Sequence, residues 1–192
     1  MVAFSPDSLL VATGSEDRTV RVWSAATGAL IFSLEHSEAV CALVFSPSFL
    51  FTGSNDGNIK QFSLQGEKVR SLSGHSSEIA AISASADGET IASGSSEGTL
   101  VVHSAADGAV LKKTETGSRI YSIAYSMDGL RLAVGLDSSC TVYNAKELTE
   151  LKEIQHPNSV MTVQFTTDNG MVAGCYDNVI RTFDAAYQLV ED

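Results

Sequence analysis

Short runs in which apolar and polar residues alternate recur along the chain at a fixed distance. The segment Phe4-Ser5-Pro6-Asp7 has counterparts, spaced 39 to 41 residues apart, that begin at Phe45, Ala84, Tyr125 and Phe165. A second column keeps the same step and holds Trp23, Phe62, His103, Tyr143 and Phe183. Because two independent columns share one period, the sequence indicates five tandem units of about 40 residues.

Within each unit the alternation has a period of two, which is typical of β-strands. The second unit has runs at 40–45 and 49–52, the turn Asn55-Asp56-Gly57, a third run ending at Phe62 and a weaker fourth run at 68–72. Asn, Asp and Gly adopt positive φ at little cost, which favours a hairpin turn. Four strands in each unit predict one blade of a β-propeller, and a single blade cannot bury both of its faces without neighbours.

The sequence therefore predicts an all-β fold with one propeller domain over residues 1–192. The blades are expected at approximately 1–35, 36–74, 75–115, 116–155 and 156–192. The chain begins inside the first strand of blade one and ends with the fourth strand of blade five, so no strand is left over to complete a blade. Three arrangements stay open: a closed five-bladed ring, part of a larger ring, or a ring that a partner chain completes. Uncovered sheet faces would favour aggregation.

Residues 2–7 read Val-Ala-Phe-Ser-Pro-Asp, and residues 12–24 run from Ala-Thr-Gly-Ser through Val-Trp-Ser. The third unit opens with Gly74-His75, where the second has Glu35-His36. These residues resemble WD40 repeats, and the resemblance covers essentially all 192 residues. It implies a propeller, most often of seven blades. It also implies that the loops from fourth to first strands and from second to third strands share one rim, where partners bind.

The resemblance further implies a hydrogen-bonded set of four side chains in each blade: a Trp indole, a strand Ser or Thr, a His and a turn Asp. By position, the members are Thr13, Asp17 and Trp23 in blade one; His36, Thr52, Asp56 and Phe62 in blade two; His75, Ser93, Glu97 and His103 in blade three; Thr116, Asp137 and Tyr143 in blade four; and His156, Asp177 and Phe183 in blade five, with Ala173 at the hydroxyl position. No blade has the full set, and Phe62 has no N–H to donate. Since each lost buried bond is worth about 0.5 to 1.5 kcal/mol, we expect a propeller less rigid than a consensus one.

Charge and cysteine content narrow the function classes. Twelve basic against 23 acidic side chains give a net charge of −11, which is the wrong sign for binding phosphates and predicts no direct contact with nucleic acid. The same charge favours basic protein partners. Three cysteines without a C-x-x-C pair predict reduced thiols in the cytoplasm or nucleus, and no apolar run is long enough for membrane insertion.

Candidate catalytic motifs are explained by the repeat. Residues 94–98 match G-x-S-x-G, but the same column holds the hairpins that begin at Gly14 and Gly53, so the match predicts a turn between strands and no nucleophile elbow. His36, His75 and His156 share one repeat position on three different blades, none has a His or Cys at ligand spacing, and His103 is expected to be a packed strand residue. No phosphate-binding loop is present. We therefore expect no catalytic residue, no metal and no cofactor, and a propeller-type hydrolase is the least favoured alternative.

The remaining hypothesis is a non-catalytic scaffold that binds proteins or peptides through its rim loops, as a subunit of a multiprotein complex. The candidate partner-binding residues are Glu38, Glu78, Arg119, Tyr121, Asn158, Met161 and Tyr176. Two alternatives stay open. One is a reader of a basic peptide. The other is a substrate receptor of a ubiquitin ligase, which is weakened because Trp-Asp-x-Arg occurs nowhere in the chain.

Overall fold

The computed structural model describes residues 1–191, in which the chain forms twenty β-strands and no helix. The strands are β1 (Val2–Phe4), β2 (Leu10–Gly14), β3 (Thr19–Ser24), β4 (Leu30–Glu35), β5 (Val40–Phe45), β6 (Phe49–Ser54), β7 (Ile59–Ser63), β8 (Lys68–Leu72), β9 (Ile79–Ala84), β10 (Thr90–Ser95), β11 (Thr99–Ser104), β12 (Val110–Glu115), β13 (Ser122–Tyr125), β14 (Arg131–Gly135), β15 (Ser139–Asn144), β16 (Glu150–Gln155), β17 (Val160–Phe165), β18 (Met171–Cys175), β19 (Ile180–Phe183) and β20 (Leu189–Glu191). Across this range, no helix has the length and apolar character that crossing a membrane requires.

The strands form five antiparallel sheets of four, and each sheet uses consecutive strands in sequence order. The first sheet is β1 to β4 and the fifth is β17 to β20, and we number the blades in the same order. The predicted all-β class with five four-stranded blades is thus confirmed.

The recurring Ser-x-Asp segment forms the turn between the first and second strands. In blade one, the Ser5 hydroxyl donates to Asp7 at 2.6 Å, and the Asp7 carboxylate accepts from the N–H of Leu9 at 3.0 Å. Ser126 and Asp128 repeat the side-chain bond at 2.6 Å in blade four. The polar column that revealed the repeat is therefore a structural turn.

A register shift recurs between the third and fourth strands of every blade. It lies beside the aromatic column, between Val22 and Trp23 in blade one and between Gln61 and Phe62 in blade two. The other three blades have it at Val102/His103, Val142/Tyr143 and Thr182/Phe183. A bulge bends its strand and increases the local twist, so the aromatic column marks the point where each outer strand turns.

Four apolar clusters hold the blades together, and each draws on two consecutive blades. Between blades one and two, for example, Ala12 and Val22 pack with Leu43 and Phe45. We call the side of a blade that faces the following blade its forward face, and the opposite side its back face. Small or branched side chains on a forward face therefore meet larger side chains on the next back face.

A glycine column in the second strands allows this close approach. A methyl group at Gly94 would lie 2.6 Å from Cγ2 of Ile120 and 2.8 Å from Cδ1 of Ile123, both in the next blade. Gly53 stands in the same relation to Ile79. Gly174 differs, because its methyl group would meet only Cγ2 of Thr162, within its own blade.

Four clusters join five blades, and the described residues do not show a fifth cluster that closes the ring. On the back face of blade one, Phe4 is 64% exposed, whereas Phe45 at the same position in blade two is 5% exposed. On the forward face of blade five, Ile180 is 65% exposed, whereas Cys140 at the same position in blade four is fully buried. Residues 1–191 therefore leave the outer faces of blades one and five uncovered.

We expect Gly94→Ala to destabilise the protein by about 1 to 3 kcal/mol, because the added methyl overpacks the interface between blades three and four. Gly174→Ala is the matched control, since its methyl faces no neighbouring blade and would meet only the exposed Thr162 side chain of its own blade, at 2.7 Å, which can turn aside. Urea denaturation of the two variants measures the difference. Equal losses of stability would contradict this account of the glycine column.

Candidate functional site

Two kinds of loop meet at one end of every blade, because the strands are antiparallel and consecutive. Backbone bonds join these loops, both within a blade and across blades. Ser15 O accepts from the N–H of Val40 at 3.1 Å, between blades one and two, and Glu78 O accepts from the N–H of Ser96 at 3.0 Å, within blade three. The fourth-to-first and second-to-third loops therefore form one connected surface, which we call the loop rim.

The loop rim carries a connected polar group between blades three and four. The Arg119 guanidinium pairs with the Glu78 carboxylate at 2.9 Å, and its central carbon lies 5.5 Å from the centroid of the Tyr121 ring. The Tyr121 hydroxyl donates to Asp137 at 2.9 Å. The structure thus brings together three predicted partner-binding residues and adds Asp137, and we call these four residues the Arg119 group.

The predicted residues of blade five lie at the loop end of β17 and β18. Val160 pairs with Cys175, so Met161 and Tyr176 each follow one member of that pair. The Tyr176 side chain is 70% exposed, and Met161 is 44% exposed. Asn158 is exposed in the preceding loop, and its side-chain oxygen accepts from the N–H of Ser159. Blade five therefore presents an aromatic and an aliphatic side chain to solvent.

Blade two contributes acidic side chains to the loop rim. Glu38 is exposed, and the Asp56 carboxylate accepts hydrogen bonds from the hydroxyls of Ser37 and Ser54. Burial alone would raise the pKa of Asp56, but these bonds outweigh it and hold the pKa below its ordinary value. Asp56 is therefore ionised at neutral pH, and it fixes the loop that carries Glu38.

In each of the first three blades, a hydrogen bond joins two side chains of the four-residue set that the WD40 resemblance implies. The Trp23 indole N–H donates to Thr13 Oγ1 at 3.1 Å in blade one. His36 Nε2 lies 2.9 Å from Thr52 Oγ1 in blade two, and the corresponding His75 to Ser93 distance is 2.8 Å in blade three. In blade two no hydrogen bond continues from Thr52 to Phe62, because the Phe62 ring has no N–H to donate. The Phe62 ring packs against the His36 imidazole, with the two ring centroids 6.2 Å apart.

Known proteins share this repeat and its geometry. A family model described as "Vps42 beta-propeller" matches residues 28–128. A second model, described as "WD domain, G-beta repeat", matches residues 1–24 and 148–184. The chain belongs to the WD40-repeat β-propeller family. The resemblance inferred from the sequence is thereby confirmed.

Individual WD40-type relatives match nearly all of this chain. Periodic tryptophan protein 2 homolog of Dictyostelium discoideum is 29% identical over 197 residues, covering 96% of this chain and 21% of that protein. Protein groucho of Drosophila melanogaster is 27% identical over 194 residues, covering 97% of this chain and 27% of that protein. The chain thus spans about a quarter of the length of these curated relatives.

A solved structure matches nearly the whole of this chain. The crystal structure of the computationally designed Ika8 protein superposes with a TM-score of 0.83 and 29% identity, covering 94% of this chain and 56% of that one. The superposition extends over nearly all five blades, so it compares their stacking as well as their individual sheets.

Blade five departs from the WD40 pattern of side-chain bonds. Ala173 occupies the expected hydroxyl position, and the ring nitrogen Nδ1 of His156 instead lies 3.2 Å from Cys175 Sγ. The turn residue Asp177 pairs with Arg181 at 2.8 Å. Cys175 lies on the same face of β18 as Ala173, two residues earlier in the sequence. The period of two could therefore have identified Cys175 as a candidate partner of His156. A thiol therefore replaces the hydroxyl as the partner of this buried histidine.

The G-x-S-x-G match forms a structural turn. Ser96, the serine of the G-x-S-x-G match, lies in the hairpin turn between β10 and β11. Within residues 1–191, no three histidine, cysteine or acidic side chains are placed to hold a metal ion.

Burial keeps His36, His75 and His103 neutral in the folded state. Desolvation lowers the pKa of both His36 and His75 from 6.5 to about 4, with nearby cationic side chains or His103 acting in the same direction. His103 itself is fully buried, with Nε2 at 2.9 Å from Ser73 O, and burial lowers its pKa as well. Several blades thus depend on uncharged imidazoles.

We expect the free energy of unfolding to fall as the pH drops from about 6.5 to about 4. In that window His36 and His75 bind protons in the unfolded chain but stay unprotonated in the folded chain. The stability present above pH 6.5 is therefore lost as the pH falls. The loss is on the order of 3 kcal/mol for a buried histidine with this shift. Urea denaturation between pH 7.5 and pH 4 measures it.

The control for this pH dependence is His36→Gln, which keeps a hydrogen-bonding side chain at that position without a titrating group. Its slope of stability against pH should be shallower than that of the natural chain. Turn carboxylates such as Asp17, whose pKa the Thr19 hydroxyl helps to lower to about 2, would weaken the fold only below about pH 4. A stability curve that is flat down to pH 4 would refute the role assigned to the histidines.

Proposed function

We propose that this WD40 chain is a non-catalytic scaffold that binds protein segments on its loop rim, as a subunit of a multiprotein complex. The Arg119 group is the observation that carries the proposal. An ion pair connects it to blade three, and a cation–π contact and a hydrogen bond hold it within blade four, so its side chains are ordered before any partner arrives. Preformed surfaces of this kind bind with little motion of the backbone.

The composition of the loop rim supports a protein partner. Arginine and tyrosine are enriched at the residues that contribute most to binding free energy. Tyr121 and Arg119 contact each other in blade four, while Met161 and Tyr176 are exposed in blade five. In the proposal, one segment of the partner contacts the Arg119 group, and a second segment contacts the exposed side chains of Tyr176 and Met161.

A basic peptide is the second candidate partner class. The exposed carboxylate of Glu38 lies on the same rim as Glu16, and Arg119 neutralises only Glu78. With a net charge of −11, the chain would attract a lysine- or arginine-rich segment over long range. The charge gives no support to direct binding of nucleic acid, and no feature of residues 1–191 favours the ubiquitin-ligase alternative.

We further propose a reducing compartment, the cytoplasm or the nucleus. All three cysteines are free thiols, of which Cys140 and Cys175 are buried. Burial raises the pKa of the Cys41 thiol on the loop rim, and the nearby Glu78 raises it further. Cys41 is therefore protonated at neutral pH and, in this proposal, has no catalytic role.

The rim hypothesis is tested by the double variant Tyr121→Ala/Tyr176→Ala. Affinity purification from native cells, followed by quantitative mass spectrometry, should show partner recovery reduced about tenfold or more, as expected when two anchoring aromatic residues are lost. The matched control is Met127→Ala/Leu130→Ala, which removes exposed apolar side chains from the opposite end of blade four. Retention of every partner by the rim variant would rule out this surface.

The basic-peptide candidate has its own measurement. Fluorescence anisotropy with a labelled lysine- and arginine-rich peptide should show binding that weakens as salt increases, because exposed charges are screened. Glu38→Gln should lower the affinity, whereas Glu89→Gln, in a turn at the opposite end of blade three, should leave it unchanged. An affinity that neither substitution changes would show that the peptide does not bind on the loop rim.

A further inference from the structure

A groove between blades three and four opens at the end of the blades opposite the loop rim. Its volume is about 450 Å³. Its apolar lining consists of Val102 and Leu111 from blade three and Leu130 and Ala145 from blade four. The Leu111 side chain is 50% exposed, and the Leu130 side chain is 66% exposed. Two leucine side chains from neighbouring blades thus line one depression in the surface, which we call the leucine groove.

The turn residue Leu130 distinguishes this groove from the corresponding places at the other interfaces. In the other blades, the same turn position holds Leu9, Ser48, Glu89 and Asn169. Leu9 belongs to blade one, which has no preceding blade among residues 1–191 to complete a groove. The groove between blades two and three, with a volume of about 420 Å³, has Ser48 and Glu89 in its lining. An apolar groove is therefore particular to the interface between blades three and four.

The leucine groove is open because the turn of blade three does not cover the turn of blade four. Between blades two and three, Pro47 packs on Gly88, and a methyl group at Gly88 would lie 2.7 Å from Cδ of Pro47. A methyl group at Gly129, the counterpart in blade four, would meet nothing within 4 Å. Blade three has Ala86 where blade two has Pro47. The smaller side chain leaves the turn around Gly129 accessible from outside.

Most polar side chains of the leucine groove already have partners within the protein. The Asp87 carboxylate accepts from the Ser85 hydroxyl at 2.5 Å and from the N–H of Glu89 at 2.9 Å. The Thr90 and Tyr125 hydroxyls are hydrogen-bonded to each other at 3.0 Å. These groups are satisfied by the fold and do not require a ligand.

Lys146 is the exception among the charged groups that line the leucine groove. Lys112 of blade three pairs with Glu147 of blade four at 2.9 Å, so these two charges neutralise each other. The Lys146 side chain is exposed in the adjoining turn. Within residues 1–191, no carboxylate lies within ion-pair distance of its ammonium group. The groove therefore combines an apolar floor with one cation that has no acidic partner there.

We propose that the leucine groove binds a short protein segment that carries a large aliphatic side chain next to one carboxylate. The aliphatic side chain packs between Leu111 and Leu130, and the carboxylate pairs with Lys146. The net charge of −11 repels a strongly acidic segment over long range. A single carboxylate beside an aliphatic anchor therefore fits this surface better than a run of acidic residues.

The two parts of the bound segment have different roles. Removal of the aliphatic side chain from water provides most of the affinity, because the groove offers apolar surface on both sides. The ion pair with Lys146 is exposed, so it adds little affinity and mainly sets the orientation of the segment. This proposal is independent of the loop-rim proposal, because the two surfaces lie at opposite ends of the blades.

The test begins with a phage-displayed library of random peptides selected on the immobilised full chain. We expect enriched peptides to carry Leu, Ile or Met beside Asp or Glu. Fluorescence anisotropy with the enriched peptides then measures their affinity. The variant Leu111→Ala/Leu130→Ala should weaken binding by about tenfold or more, because two walls of the apolar site are lost.

The matched control is Leu9→Ala/Leu151→Ala. It removes leucines from the same two repeat positions in other blades, where they are 63% and 52% exposed, and it should leave the affinity unchanged. Urea denaturation should give both double variants a stability close to that of the natural chain, because the substituted side chains are at least half exposed.

The carboxylate has a separate measurement. Lys146→Gln should weaken binding by about twofold to fivefold, as expected for an exposed ion pair, and should reduce the dependence of the affinity on salt. Lys152→Gln removes another exposed lysine of blade four and should change neither quantity.

The two binding surfaces are separated by the affinity purification described above. Its control variant Met127→Ala/Leu130→Ala should lose partners that bind in the leucine groove, whereas Tyr121→Ala/Tyr176→Ala should retain them. Either proposal can therefore fail without the other.

Three results would overturn the leucine-groove proposal. One is a selection that enriches no peptide, and another is an affinity that Leu111→Ala/Leu130→Ala leaves unchanged. The third is binding of dodecanoate in the groove more tightly than any selected peptide, which would assign the site to a fatty acid.

Discussion

Close packing of one sheet on the next is the interaction on which this fold depends. Each blade buries its apolar side chains only in combination with a neighbour, as the clusters shared by consecutive blades show. The second-strand glycines allow that approach, because a single methyl group at Gly94 would collide with Ile120. Packing density in such an interface is close to that of a crystal, so the blades stack at one spacing only.

The stacking also creates the loop rim. Bonds such as the one from Val40 N–H to Ser15 O exist because neighbouring loops are held at backbone distance. The ion pair between Arg119 and Glu78 likewise joins residues 41 positions apart in sequence. A surface for binding proteins thus arises from contacts between blades, and a blade on its own would not form it.

Most of the architecture could be predicted from the sequence, because a period of two and a repeat of about 40 residues both reflect backbone geometry. The number of blades and the turn role of segments such as Ser5 to Asp7 follow from those two periods. Contacts that depend on which side chains turn toward each other could not be found this way. Tyr121 donates to Asp137 within blade four. In blade five, the period of two places Cys175 on the same face of β18 as Ala173, but it does not show that His156 lies beside the thiol.

The backbone bonds between adjacent loops constrain how the rim can diversify. An insertion in the loop at Ser15 would displace the carbonyl that Val40 requires, and the disturbance would pass to the next blade. The opposite turns are closed by their own side chains, as in Ser5 with Asp7, and the backbone bonds described between them stay within one blade, as from Ala25 N–H to Leu9 O. Lengthened loops should therefore accumulate at that opposite end, while specificity on the rim changes by exchange of side chains on loops of constant size.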